Sequence, residues 1–182
     1  LLALLLLAGC TTQPAGPRPE RTRLSSHLIS LPAELIGNHF VVTAPGPRNR
    51  VWRFLVDTGS SVTLLSPDFA GQFVSIPTTR ATPQIRVRSA SGESTVLPSI
   101  TLRRLELGEA RFEHVQALLY DCADLSAHLG VRIDGVLGFP LFHETIFTLD
   151  YPHARLLISP SGDLGLTPGS SFTFNPTTRV PL

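Results

Sequence analysis

The chain has 182 residues, is 42% hydrophobic and carries a formal net charge of +1. This length allows one domain with a substantial apolar core and short tails. The fifteen basic residues are all Arg and do not cluster into a stripe, so composition excludes a strong electrostatic attraction to nucleic acid and we expect no such partner. Sixteen Pro and fourteen Gly residues indicate many turns and favour an all-β domain.

The first ten residues have the pattern of a targeting segment. Residues 1–8 form an unbroken apolar run, which is too short to span a bilayer as a helix but suits the apolar part of a signal peptide. Because the sequence contains no Met, we expect further residues before this run. The run ends in the sequence LAGC at residues 7–10, which resembles the lipobox of bacterial lipoproteins. An ordinary buried strand or helix with a chance Cys is the alternative.

The lipobox resemblance implies that Cys10 is acylated after cleavage and becomes the new N-terminus. It therefore implies a protein anchored by lipid in the bacterial cell envelope, facing the periplasm or the exterior. The segment that follows is polar, and residues 11–23 contain three Pro and one Gly. We interpret residues 11–30 as an extended tether, residues 31–160 as the folded domain, and residues 161–182 as an irregular tail with a single strand around residues 172–174.

Within the domain, short apolar runs alternate with turn residues, which predicts strands joined by hairpins. Two short helices are predicted, one over residues 67–73 with Ser66 as its cap and one over residues 123–129. A slip in the apolar alternation at Arg103–Arg104 predicts a bulge. The succession predicts a β-barrel or sandwich instead of a parallel α/β sheet. The predicted strands cover residues 40–43, 51–56, 62–65, 85–88, 95–97, 100–107, 112–120, 146–149 and 155–158.

A polar tetrad, Asp57-Thr58-Gly59-Ser60, lies between two strongly apolar strands. A carboxylate at the end of a buried strand is costly unless hydrogen bonds receive it. Thr58 and Ser60 offer hydroxyls, and Gly59 allows the backbone to approach closely and to turn. The tetrad is therefore typical of a site that holds one carboxylate.

The tetrad resembles the active-site loop of aspartic proteases. A second run, Val136-Leu137-Gly138, resembles the two apolar residues and Gly that support this loop in the family and that a short helix follows. The order of loop, flap hairpin, supporting run and closing hairpin extends over residues 40–158. The chain thus resembles the retropepsin-like aspartic proteases, whose fold is an all-β acid protease barrel with one lobe per chain and one or two short helices.

A single Asp-Thr-Gly occurs in the sequence, so the resemblance implies a homodimer in which Asp57 faces its copy. The two carboxylates would share a proton and activate a water that hydrolyses a peptide or unfolded protein, with no metal or cofactor. In the family the Thr58 hydroxyl reaches the partner loop and Gly59 supplies a main-chain contact. Ser60 would hydrogen-bond the outer carboxylate oxygen.

The hairpin tip around residues 89–94 occupies the position of the family's flap, which covers the substrate. We expect Ala90, Ser91, Gly92 and Glu93 to contact substrate, with Gly92 giving the tip its mobility. An ordinary surface hairpin is the alternative.

Further features of the sequence allow more than one interpretation. Asp134 could be a second catalytic acid, but we interpret it as a structural hydrogen-bonding residue. Cys122 is interpreted as a half-buried bystander instead of a nucleophile, and the scattered His residues predict no metal site. The rival function is a non-catalytic peptide-binding or envelope-assembly lipoprotein on the same fold, and a third is a barrel that serves only as a spacer.

Overall fold

The computed structural model describes residues 18–74, 82–89 and 92–163. In this part of the chain eleven strands form one sheet, accompanied by two short α-helices. The strands are β1 (Arg21–Leu24), β2 (Ile29–Ile36), β3 (His39–Pro45), β4 (Val51–Asp57), β5 (Leu64–Leu65), β6 (Gln84–Arg88), β7 (Ser94–Leu107), β8 (Ala110–Leu119), β9 (Gly135–Gly138), β10 (Thr145–Asp150) and β11 (Arg155–Pro160). The helices are α1 (Pro67–Ala70) and α2 (Ala123–Leu129), and 3-10 turns cover Pro47–Asn49, Phe139–Phe142 and Ser161–Asp163.

The strand order along the sheet is β10-β11-β2-β3-β4-β9-β5-β8-β7-β6, with β1 paired to β8. The pairs are antiparallel except β4–β9 and β5–β8, which are parallel. The sheet surrounds one large apolar core that includes the fully buried Phe40, Phe54, Phe112 and Leu137. The predicted all-β fold class is confirmed.

The two predicted helices are present. The hydroxyl of Ser66 accepts a hydrogen bond from the amide of Phe69 at 3.2 Å, which caps α1 as predicted. The helix is shorter than predicted because the chain continues as turns after Ala70. Helix α2 has the predicted bounds and ends at Gly130, whose φ of +70° is left-handed.

Helix α1 is fixed to β4 by aromatic contacts. The ring of Phe69 meets the rings of Trp52 and Phe54 edge-on, with centroids 5.1 and 4.9 Å apart. All three side chains are buried. Edge-to-face packing of this kind is favourable beyond simple burial, so the helix holds the strand that leads to Asp57.

The bulge predicted at Arg103–Arg104 is a kink shared by two strands. The β7–β8 ladder passes from Leu102–Val115 to Arg104–Glu113 with no change of register. Arg103 lies opposite His114, whose φ is +52°. Both strands therefore exchange their inward and outward faces at the same point, and the core on each side of the kink stays apolar.

The folded domain begins earlier than predicted. Residues 21–24, placed in the predicted tether, form β1 and pair with β8. Strand β2 starts at Ile29, which is buried in the core and pairs with Ile158 of β11. The predicted strand over residues 62–65 is reduced to Leu64–Leu65. Cys10 and the strand predicted around residues 172–174 lie outside the described residues.

Among the helices of residues 18–74, 82–89 and 92–163, none has the length and apolar character that crossing a membrane requires.

Candidate active site

Strand β4 ends at the first residue of the polar tetrad, which therefore lies beside the end of β9. The two strands are parallel, and their register pairs Phe54 with Gly135 and Asp57 with Gly138. Strand β5 lies on the other side of β9 and pairs Leu64 with Val136. The chain therefore passes down one side of β9, turns at the tetrad, and returns along the other side.

The loop closes tightly over Gly138. A Cβ atom at this position would overlap the carbonyl oxygen of Val62 and lie 3.0 Å from that of Ser60. The amide of Phe139 donates to the Ser60 carbonyl at 3.0 Å, and the amide of Gly138 donates to the Thr63 hydroxyl at 3.4 Å. Only Gly allows the loop and the strand to approach this closely.

The supporting run lies behind the tetrad, as the resemblance implied. Val136 and Leu137 are buried on β9. The chain then enters the 3-10 turn Phe139–Phe142, in the place where the family has a short helix. The tetrad thus rests on an apolar layer that limits its movement.

The Asp57 side chain is held by the loop and open to solvent. Its Oδ1 accepts a hydrogen bond from the amide of Gly59 at 2.9 Å, which is the expected main-chain contact, here made within the chain. Its carbonyl accepts from the amide of Ser60 at 3.2 Å. Thr58 is exposed, and its hydroxyl makes no hydrogen bond within the described ranges. One carboxylate is thus oriented by a tight turn, and both groups are accessible to another molecule.

Ser60 differs from the expectation. Its hydroxyl donates to the carbonyl of Val62 at 2.8 Å and accepts from the amide of Val62 at 3.4 Å. The hydroxyl proton is therefore used to close the loop and does not reach the outer oxygen of Asp57. The reason is local, because the turn places the Val62 carbonyl within hydrogen-bond distance of the Ser60 hydroxyl.

The predicted flap is the β6–β7 hairpin, which pairs Gln84 with Pro98 and Arg88 with Ser94. Ile85 lines the same small depression as Val62 and Thr63 of the active-site loop. This contact places the base of the hairpin beside the loop.

Two backbone hydrogen bonds join the strand ends on either side of the hairpin tip. The amide of Gly92 donates to the Ser89 carbonyl at 2.9 Å, and the amide of Ser89 donates to the Glu93 carbonyl at 2.8 Å. Gly92 has a φ of +91°, which favours Gly at this place. Ala90 and Ser91, the other predicted flap residues, lie outside the described residues.

Asp134 has the structural role that we preferred for it. The side chain is fully buried. Its Oδ1 accepts from Arg50 Nη2 at 2.9 Å and from Arg132 Nε at 3.0 Å, and its Oδ2 accepts from the Arg53 amide at 3.1 Å. Its carbonyl accepts from the Ser66 amide at 2.9 Å. The residue therefore joins β4, β9 and the start of α1.

Asp134 is too far from Asp57 to form a catalytic pair with it in one chain. Gly138 is the register partner of Asp57, and Asp134 lies four residues before it, which is about 13 Å along a strand. Two carboxylates that share a proton must be in hydrogen-bond contact. Asp134 therefore does not share a proton with Asp57 in this chain.

Three residues that contact Asp134 or lie beside the active-site loop were not identified from the sequence. Arg50 and Arg132 complete the surroundings of Asp134, but they are separated by 82 positions and no spacing links them. Phe139 is 51% exposed beside the loop, although its neighbours Leu137 and Leu141 are buried. It lies in an apolar run, which gives no signal that this ring is exposed. The described ranges contain no group of three or more His, Cys, Asp or Glu residues that could hold a metal ion.

Comparison with known proteins connects this geometry to a family. The family model described as "Aspartyl protease" matches residues 43–141, more than half of the chain. A crystal structure of a retropepsin-like aspartic protease from Rickettsia conorii has the same fold, with a TM-score of 0.51 and 20% sequence identity over 77% of this chain and 94% of that chain. No curated protein matches the sequence significantly. The matched segment contains the tetrad, the flap hairpin and the supporting run, and the chain belongs to the aspartyl protease family, with a retropepsin-like fold.

Proposed function

We propose that the chain is a membrane-anchored aspartic endopeptidase that hydrolyses peptide bonds with the paired Asp57 carboxylates of a homodimer. The single observation that carries the proposal is the position of Asp57. It ends a buried strand, is oriented by the Gly59 amide, and points to solvent from a loop supported by β9. Membership of the protease family supports the same reaction class.

The chemistry requires two carboxylates with different protonation states. Two like charges at about 3 Å do not both ionise easily, so one member of the pair keeps its proton. The charged member takes a proton from the attacking water, and the protonated member polarises the scissile carbonyl. Because each chain supplies one such group, the proposed active site forms only where two copies meet.

The groups around Asp57 each have a role in the proposed reaction. The exposed Thr58 hydroxyl is available for a bond to the partner loop. The Ser60 hydroxyl holds the loop closed through the Val62 carbonyl. The β6–β7 hairpin covers an extended peptide or an unfolded protein segment and limits the access of water.

The proposed lipid anchor places this activity at the bacterial cell envelope, facing the periplasm or the exterior. It is based on the LAGC sequence that ends at Cys10. We expect the mature N-terminal peptide to begin at an acylated Cys10 when the protein is isolated from membranes and analysed by mass spectrometry. An unmodified Cys10 in that fraction would exclude the anchor without bearing on the protease.

The catalytic proposal is tested with Asp57→Asn, which keeps the shape of the side chain and removes the titrating carboxylate. We expect the variant to fold and to lose cleavage of casein at acidic pH by at least about a thousandfold, which is the scale of losing a group that takes part in the chemical step. The parent should also be inhibited by a statine-type transition-state mimic. Asp134→Asn is the matched control, because it makes the same chemical change at a carboxylate outside the site.

Two results would contradict the catalytic proposal. One is a folded Asp57→Asn variant that cleaves casein as fast as the parent. The other is a parent protein that binds unfolded polypeptide but does not cleave it, which would favour a peptide-binding function on the same fold.

A further inference from the structure

The outward side of β1, β8 and β7 carries an accumulation of arginine side chains. Across β1–β8, Arg21 lies opposite Glu113 and Arg23 opposite Arg111. Across β8–β7, the same Glu113 lies opposite Arg104. All five arginines named below are exposed, and the apolar residues next to them on β7 and β8 are buried, so the arginines point away from the core. We call this surface the arginine face, and its cations are Arg21, Arg23, Arg103, Arg104 and Arg111.

Acidic neighbours balance only part of this charge. Five arginines share the surface with Glu20, Glu106 and Glu113. Arg21 and Arg103 have no acidic partner in the described part of the chain. The ion pairs on this face are Arg23–Glu113 at 2.9 Å, Arg111–Glu106 at 3.1 Å, Arg104–Glu106 at 3.3 Å and His114–Glu20 at 3.0 Å. The face therefore has a positive excess while the whole chain is almost neutral.

An exposed aromatic ring lies within the same surface. Phe73 is 52% exposed and lines a depression of about 430 Å³ together with Arg103, Arg104 and Arg111. A ring beside exposed guanidinium groups is typical of surfaces that bind at a membrane interface, where the ring enters the headgroup region and the cations attract anionic lipids.

The chain also enters the fold at this face. Strand β1 starts at Arg21, eleven residues after Cys10. A fully extended segment of that length reaches about 40 Å at most. An acylated Cys10 would therefore keep the arginine face within this distance of the bilayer.

We propose that the arginine face, together with Phe73, binds the surface of a bilayer that contains anionic phospholipid headgroups. Its physiological orientation rests on the lipid anchor of the proposed function, whereas the contact itself belongs to the folded domain. The bound domain would have a fixed side toward the membrane.

The test uses the chain from residue 10 onward with Cys10→Ser, which lacks both the lipid and the apolar run of residues 1–8, and measures co-sedimentation with phosphatidylcholine vesicles with and without phosphatidylglycerol. We expect binding that requires phosphatidylglycerol and weakens as salt is added. Arg21→Gln with Arg103→Gln should lower the partition coefficient about tenfold or more, because each cation contributes several-fold near an anionic surface. Neither arginine has an acidic partner in the described part of the chain, so the variant should fold, which circular dichroism checks.

The matched control is Arg48→Gln with Arg86→Gln. These exposed arginines lie in the β3–β4 turn and on β6, and the double variant has the same net charge as the double variant of the arginine face. It should bind vesicles as the parent does. Phe73→Ser should weaken binding several-fold and leave its salt dependence unchanged, because the ring carries no charge.

Three outcomes would overturn the proposal. The first is vesicle binding that does not depend on phosphatidylglycerol. The second is a loss of vesicle binding in the Arg48 and Arg86 control as large as that in the double variant of the arginine face. The third is binding of soluble polyglutamate as tight as binding of vesicles, combined with vesicle binding that Phe73→Ser does not change. The last would assign the face to an acidic polypeptide. Casein cleavage is measured on the same preparations. A Cys10→Ser chain with an intact arginine face that cleaves casein but does not bind the vesicles would contradict this inference and leave the proposed function standing.

Discussion

Asp57 and Asp134 show how the environment gives two carboxylates different roles. Asp134 is fully buried and accepts three hydrogen bonds from Arg50, Arg132 and the Arg53 amide. Asp57 accepts one amide hydrogen bond and keeps the rest of its carboxylate open to solvent. A group whose lone pairs are already occupied by fixed donors is poorly placed to bind a water or a substrate. Of these two carboxylates, Asp57 is the one accessible to another molecule.

The tetrad itself could be predicted at this scale, because it interrupts two apolar strands with an unusual polar sequence. The partner of the Ser60 hydroxyl could not. Which oxygen a hydroxyl reaches depends on how tightly the loop turns, and the loop is set by the contact between Gly138 and the Val62 carbonyl. That contact joins residues 76 positions apart.

Cys122 is more completely buried than we predicted, with 3% of its surface exposed. Burial, assisted by the nearby Asp134 and Asp121 carboxylates, raises the pKa of its thiol from 9.0 to about 11. The thiolate is the reactive form. In the chain with Cys10→Ser, where Cys122 is the only thiol, we expect folded protein at pH 8 to react with a disulfide reagent far more slowly than urea-unfolded protein. Rapid reaction of the folded chain would show an accessible nucleophile.

The same shift gives the stability of the fold a pH dependence. The folded state holds the proton more tightly than the unfolded state, so the contribution is complete below pH 9 and is lost as the pH rises toward 11. A shift of this size corresponds to about 2 to 3 kcal/mol. Urea denaturation at pH 8 and at pH 11 should show this loss in the Cys10→Ser chain, and it should be absent when Cys122→Ala is added.

At the scale of elements, hairpins and helices were predictable because their signals are local. Ser66, Gly130 and the turn between β3 and β4 each act on a few neighbouring residues. Strand β1 was missed because its sequence is polar and follows a Pro-rich stretch, and it is stabilised by distant pairing with β8. The shared kink at Arg103 and His114 could be predicted only in part. The change in apolar alternation was identified on β7, whereas the residue opposite it, His114, lies on β8.

The junction of β4, β9 and α1 depends on Asp134, so its loss should destabilise the fold without removing a catalytic group. Arg50 and Arg132 keep contact with solvent, with 31% and 55% of their side chains exposed, and can be hydrated when the carboxylate is removed. The larger cost is the unpaired Arg53 amide, so we expect Asp134→Ala to lower the free energy of unfolding by about 2 kcal/mol. Asp134→Asn keeps an acceptor and should cost less, as measured by urea denaturation.

Activity separates this role from a catalytic one. Folded Asp134→Asn should cleave casein at a rate within a few-fold of the parent, whereas Asp57→Asn should not cleave it. Equal inactivity of the two folded variants would favour a pair of acids within one chain, against the separation of about 13 Å along the strands.

At the scale of the whole molecule, the order of the elements could be predicted from the sequence, but the surfaces that they form in the folded domain could not. The order of loop, flap, supporting run and closing hairpin could be read along the chain. The fifteen arginines appeared scattered, yet five of them meet on one side when β1, β8 and β7 pair. A surface assembled from residues 21 to 111 has no local pattern in the sequence, because pairing between distant strands creates it.

The proposed homodimer predicts that cleavage depends on pairs of chains. When inactive Asp57→Asn chains are mixed in excess with parent chains in solution, most parent chains should enter heterodimers that contain a single ionisable carboxylate. Cleavage of casein per parent chain should therefore fall as the inactive chain is added, and it should also fall on dilution below the dimer dissociation constant. Asp134→Asn chains serve as the control, since they bring an intact Asp57 and should not inhibit.

Anchoring on a membrane should reduce this sensitivity to dilution. Chains held on one bilayer stay at a high effective concentration, so a dimer that is weak in solution can still be populated on the surface. Acylated protein on vesicles should therefore retain specific activity at bulk concentrations where the Cys10→Ser chain has lost it. Two results together would exclude the shared site. One is activity in the mixing experiment that depends only on the number of parent chains, and the other is cleavage by a species that analytical ultracentrifugation shows to be strictly monomeric. They would show that one Asp57 suffices.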